Sequence, residues 1–91
     1  MSQHTAPAED FIDVTVGMLP YDIDAAHGNV ARHAVVIDIG TTTQLFECVT
    51  AAGNTRTATC VTNGEQFPCL IDTITGNTTV ARVRIFFDRA I

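Results

Sequence analysis

Apolar and polar residues alternate along most of this chain, with the two-residue period of a strand rather than the period of a helix. Phe11-Ile-Asp-Val-Thr-Val16 sets Ile12, Val14 and Val16 on one face and Phe11, Asp13 and Thr15 on the other. Its β-branched residues suit a pleated, half-buried surface. Similar runs cover residues 31–39, 44–50, 56–62, 67–73 and 79–87. Gly40, Ala52-Gly53-Asn54, Asn63-Gly64 and Gly76-Asn77 separate them, and all four asparagines of the chain adjoin a glycine. Such pairs belong where the backbone turns through positive φ. Strands this closely spaced leave no room for the long crossovers of parallel sheets. The pattern predicts an all-β fold: an antiparallel meander of about six strands, closing as a small sandwich or a partly open barrel.

The alternation fails over residues 19–29. Asp22-Ile-Asp-Ala-Ala-His27 can form one short helical turn, capped by Asp22 or Asp24 and closed at Gly28-Asn29. Residues 1–10 are small and polar and are expected to form a flexible N-terminal arm, followed by a single domain over residues 11–91.

A strictly sequential meander implies a definite register, because opposed residues share a face. It pairs Phe67 with Ile85, Cys69 with Val83, Ile71 with Ala81, Cys60 with Cys69, Phe46 with Cys60, and Ile37 with Phe46. One face then carries His33, Val35, Ile37, Phe46, Cys48, Ala58, Cys60, Phe67, Cys69, Ile71, Ala81, Val83, Ile85 and Phe87. The opposite face carries Leu45, Glu47, Val49, Thr57, Thr59, Val61, Leu70, Asp72, Val80, Arg82, Arg84 and Phe86, with Asp72 near Arg82 as a surface ion pair. This second face is Thr-rich, with more aliphatic side chains than a solvated surface needs. Pro68 lacks the ladder donor and points to an edge strand or bulge.

Composition narrows the partners. Ninety-one residues can bury one core, and 46% hydrophobic with 16% charged residues is a globular balance. Ten acidic against five basic residues give a net charge of −5, and the bases are all arginine. No basic footprint for nucleic acid or an anionic membrane follows from that. With no Trp and one Tyr, a base-stacking platform is poorly supplied. Residues 1–10 lack the basic start and apolar run of a signal peptide, and no stretch reaches the roughly 18 apolar residues of a membrane span. The expectation is a chain that is cytoplasmic as synthesised, with reduced cysteines. Asn77-Thr78-Thr79 also fits a glycosylation sequon, which has meaning only on export.

The candidate chemistry is sparse. Cys48, Cys60 and Cys69, with His33, form the nearest approach to a zinc ligand set, but none has C-x-x-C spacing and isolated cysteines usually pack in cores. A Cys60–Cys69 cross-strand disulfide needs an oxidising setting. A Cys48–His33 nucleophile pair needs an accessible, thiolate-stabilising site that an inner face does not provide. Val35-Val-Ile-Asp-Ile-Gly-Thr-Thr-Thr43 resembles the first phosphate-binding segment of the actin-like ATPase and sugar-kinase superfamily. That resemblance implies a metal near Asp38 and phosphates at Gly40 to Thr42. It covers about thirty residues, and the activity is not carried over, because the family needs a second phosphate segment on a longer chain.

The reading that follows is a non-enzymatic structural or assembly protein without cofactor or small-molecule substrate. A virion component fits, such as a capsid-decorating or tail-associated subunit, binding its own copies or a protein scaffold through the Thr-rich face and the N-terminal arm. Its expected contact residues are Leu45, Val49, Thr57, Thr59, Val61, Arg82, Arg84 and Phe86, with Asp22 and Asp24 on the irregular loop. The alternative is a small acidic inhibitor, of the kind phages encode, that blocks a basic protein partner through its acidic loops, with Asp22, Asp24 and Asp72 as the contacts. A Cys/His metal-binding domain ranks third.

Overall fold

A computed structural model describes residues 9–28, 31 and 33–88. In chain order the elements are β1 (Asp10–Thr15), a 3-10 turn (Val16–Met18), β2 (Tyr21–Asp22), α1 (Ile23–His27), β3 (His33–Asp38), β4 (Gln44–Thr50), β5 (Thr55–Cys60), β6 (Gln66–Phe67), β7 (Ile71–Ile74) and β8 (Arg82–Phe87). Two strands are added to the six expected. Tyr21–Asp22 pairs with β7 inside the segment where alternation fails. The 67–73 run is broken by Pro68, so that β6 and β7 lie in different sheets.

The strands form two four-stranded antiparallel sheets, ordered β1-β8-β3-β6 and β2-β7-β4-β5. The pairs β1·β8, β2·β7, β3·β6 and β4·β5 are nested within one another. The chain is therefore one long antiparallel ribbon, folded over so that alternate strand pairs enter alternate sheets. That double Greek-key path is a jelly roll.

The all-β class, the sandwich form and the helical turn agree with the sequence pattern. The sequential register does not. Of the expected hairpins β4–β5 forms, with Phe46 opposite Ala58 rather than Cys60; the two-residue slip leaves every side chain on its expected face. Ile37 does not pair with Phe46, nor Cys60 with Cys69, nor the 67–73 run with β8, because in each case the chain crosses between sheets. β8 pairs instead with β1 and β3.

The two inner faces close over one core. The first sheet contributes Val14, Ala34, Val36, Val83, Ile85 and Phe87, and the second Phe46, Cys48, Cys60, Ile71 and Ile74. Phe46 and Phe67 meet across the layers with centroids 4.7 Å apart. In β3 the expected parity is reversed: Ala34 and Val36 are buried, and His33, Val35 and Ile37 are turned outward. An irregularity between Val36 and Asp38 then shifts the register, letting Ile39 pack back against the core. Val80, expected outside, is buried, and Cys69, expected inside, is exposed because it follows Pro68 in the crossover.

The helical turn forms for local reasons. Asp22 Oδ1 accepts a bond from the Ala25 N–H at 3.0 Å, capping α1. Gly28 ends it at φ 68°, in the left-handed region, with its N–H on the Asp24 carbonyl at 2.7 Å. Asn29, expected to share in that closure, lies outside the described residues. The turn drives the fully buried Ile23 into the core, a gain of about 1.5–3 kcal/mol. Of the arm expected over residues 1–10, residues 1–8 lie outside the described residues. Glu9 donates its N–H to the Phe87 carbonyl and Asp10 opens β1.

Candidate functional site

The residues expected to share one Thr-rich face divide between two faces on opposite sides of the sandwich. Leu45, Val49, Thr57 and Thr59 lie together on the outer face of the β2-β7-β4-β5 sheet, in the cross-strand pairs Leu45–Thr59, Glu47–Thr57 and Val49–Thr55. Val61 continues the stripe just beyond β5. Leu45 is 39% and Val61 61% exposed. Thr73 sits beside Val49 on the other flank, so threonines border the apolar positions on both sides.

Glu47 is the hub of this face. Its Oε2 accepts from the Thr57 hydroxyl at 2.8 Å, and its Oε1 from the Thr75 hydroxyl at 2.7 Å and the Asn77 amide at 2.9 Å. The bonds from Thr75, Thr57 and Asn77 hold its carboxyl below the usual glutamate range, against a smaller desolvation effect. Behind it, the 75–80 segment lies along β4 without forming a regular strand. Thr75 N–H donates to the Glu47 carbonyl and Thr79 N–H to the Leu45 carbonyl, while the Leu45 N–H is met by Thr79 Oγ1. Threonine hydroxyls thus replace backbone groups in the ladder, a known competition of Ser and Thr with secondary structure. Thr75, Asn77 and Thr78 were not singled out from sequence as site residues. The signal available was the Thr-Gly-Asn-Thr-Thr run after an apolar strand, which reads more readily as a turn.

Arg82, Arg84 and Phe86 belong to the outer face of the β1-β8-β3-β6 sheet. Asp13 receives Arg84 bidentately, at 2.7 and 3.1 Å, and Arg82 approaches the same carboxylate at 3.7 Å. Arg82 therefore pairs with Asp13 and not with Asp72. The Arg84 hydrogen bond lowers the Asp13 pKa, outweighing desolvation. The Arg84 guanidinium also lies 4.5 Å over the Phe11 ring. Phe11, Phe86 and His33 form a cross-strand aromatic row, with centroids 5.8 and 5.2 Å apart. His33 Nε2 is buried there with no hydrogen-bond partner among the described residues.

Asp22 is occupied as a helix cap and Asp24 stands exposed in the first turn of α1. Neither joins the Thr-rich stripe. The Cys/His set is not assembled: His33 is on the outer side of one sheet, Cys48 and Cys60 are buried under the other, and Cys69 is exposed. Among the described residues no group of three or more His, Cys, Asp or Glu is placed to hold a metal ion. All three cysteines are free thiols. Burial, with smaller effects from Cys69 and Glu47, pushes the Cys48 thiol up to about 11, and burial raises Cys60 as well. Asp38 closes its own turn by accepting from the Gly40 N–H at 2.8 Å; Gly40 holds φ 94°, and a Cβ there would press on Ala81 at 3.4 Å.

No helix among the described residues is long and apolar enough to cross a membrane. No family model, curated protein or solved structure matches this chain. The fold and the chemistry of its faces carry the functional argument alone.

Proposed function

We propose that this chain is a structural assembly domain whose working surface is the outer face of the β2-β7-β4-β5 sheet, and that its setting is a virion, as a capsid-decorating or tail-associated subunit. The observation that carries the reading is the stripe of Leu45, Val49 and Val61, left partly or largely uncovered and edged by Thr55, Thr57 and Thr59. Apolar side chains on a rigid sheet, bordered by hydroxyls, suit a flat protein surface better than a small molecule. The Glu47 network stiffens the face from within. The jelly-roll path adds support by analogy, since viral capsid domains use it, but lectins and cupins use it too.

Light scattering and sedimentation at micromolar concentration test the reading. A species heavier than one chain is expected, returning to monomer in the double variant Leu45→Glu, Val61→Glu with an unchanged circular dichroism spectrum. A strict monomer at every concentration overturns the reading.

A further inference from the structure

Among the described residues the sandwich has four edge strands, and three carry features that discourage pairing. β2 and β6 are two residues long, and β6 runs into Pro68. β1 carries Asp10 and Asp13. Short length, proline and charge are the usual protections of a sheet edge. β5 has none of them beyond Arg56: Thr55-Arg56-Thr57-Ala58-Thr59-Cys60 is a six-residue edge without proline.

The ladder shows which of its backbone groups have no partner among the described residues. Thr50 N–H donates to the Asn54 carbonyl at 2.9 Å. By the alternation of an antiparallel pair, Arg56, Ala58 and Cys60 then turn their N–H and C=O groups toward β4, and Thr55, Thr57 and Thr59 turn theirs outward. The bonds on the other flank of β4 agree, because Leu45 and Glu47 face the 75–80 segment there. The same threonines project their side chains onto the exposed outer face.

From this we infer that β5 pairs antiparallel with β5 of a second copy about a twofold axis at Thr57, joining the two β2-β7-β4-β5 sheets into one continuous sheet. The strand is complementary to itself in that register. Thr57 meets Thr57 of the second copy and Thr55 meets Thr59, so each outward N–H and C=O finds its counterpart. On the outer face these are Thr–Thr pairs, a favourable cross-strand combination. On the other face Arg56 meets Ala58, so no like charges are opposed. The two Glu47 carboxylates would stand about three strand spacings, ~14 Å, apart, beyond a Debye length of about 8–10 Å. Val61 would lie over the Ala52-Gly53 turn of the second copy, which covers the most exposed aliphatic side chain among the described residues.

This inference rests on the assembly reading and names the partner and the pairing, so its test must separate the two. Amide hydrogen exchange followed by NMR over a dilution series does so. Protection of the Thr55, Thr57 and Thr59 amides should rise at least tenfold with concentration, while the Arg56, Ala58 and Cys60 amides stay protected throughout. Thr57→Pro removes an outward donor while leaving the β4 backbone ladder intact, and should give a folded monomer. Because it also takes the Thr57 hydroxyl from Glu47, Thr57→Val, which removes that hydroxyl alone, is the control and should still assemble. Thr57→Lys, which sets two cations face to face, should also give a folded monomer and serves if the proline variant fails to fold. Assembly that survives the proline and lysine substitutions, or that appears without protecting those three amides, overturns the edge pairing while leaving face-mediated assembly in place. A strict monomer removes both.

Discussion

Thr78 and Glu47 are joined twice through one hydroxyl. The Glu47 N–H donates to Thr78 Oγ1 at 2.8 Å, and that same Oγ1 donates to the Glu47 carbonyl at 2.9 Å. Thr78 is the buried polar residue among the described residues, at 2% exposure. Its side chain completes a ladder that the irregular 75–80 segment cannot complete with its backbone. Thr78→Val keeps the shape but orphans a donor on β4 and weakens an acceptor. It should cost about 1–3 kcal/mol, against less than about 1 kcal/mol for Thr78→Ser, which loses one methyl. Urea unfolding of the three proteins measures the difference.

Asp13 and Glu47 make the fold acid-sensitive. Both carboxyls are held below their ordinary values of 3.8 and 4.5 in the folded state. A lowered folded pKa gives stability that is fully present above the unfolded value and is lost as pH falls through the folded one. The melting temperature should therefore be level above about pH 5 and decline below it. Asp13→Asn and Glu47→Gln should each start lower at neutral pH and decline less on acidification. Thermal melts from pH 7 to 2.5 check this, and parallel curves for wild type and variants would refute it.

The thiols should separate cleanly. Cys69 is exposed in the crossover, whereas Cys48 and Cys60 are buried and their pKa values raised. An aromatic disulfide reagent at pH 8 should modify one thiol per folded chain quickly and the other two only on unfolding. Mass spectrometry of the partly labelled protein should place the first adduct on Cys69.

The helical turn depends on its cap. Asp22→Ala removes the acceptor for the Ala25 N–H, and should cost about 0.5–2 kcal/mol. Asp22→Asn should recover most of that. Denaturant titration distinguishes the two. If Asp22 also met a basic partner, the asparagine variant would fold normally and still lose binding.

What was legible in the sequence was whatever depended on local pattern. β4 and β5 are joined by a short turn, so their faces could be read from alternation alone. α1 announced itself through Asp22 and Gly28. The partners of β3 could not be read, because Ala34-Val-Val-Ile37 is apolar at every position and either parity looks acceptable. A short loop at Gly40 suggested a hairpin with β4, yet the chain crosses to the other sheet there. Pro68 marks an edge strand or bulge from sequence alone, but nothing local marks it as the point where β6 ends and the chain changes layers. An unbroken 67–73 strand would turn Cys69 inward, and the break at Pro68 leaves it exposed instead. The Thr-rich stripe survived because it lies mostly on the one local hairpin; Arg82, Arg84 and Phe86 were added to it only through the mistaken pairing of β7 with β8.

The nested ribbon also has a kinetic meaning. β4 and β5 close across a few residues, β3 and β6 can close cheaply once they have, and β1 and β8 meet only at the end, where Glu9 reaches Phe87. Each pairing shortens the loop that the next must close. Folding should thus proceed as a zipper from the Ala52-Gly53 turn. A circular permutant opened at that turn, with a linker joining the two natural ends of the chain, would keep every strand pairing while making β4–β5 the most distant pair in the chain. It should fold more slowly than the natural order by the margin that contact order sets.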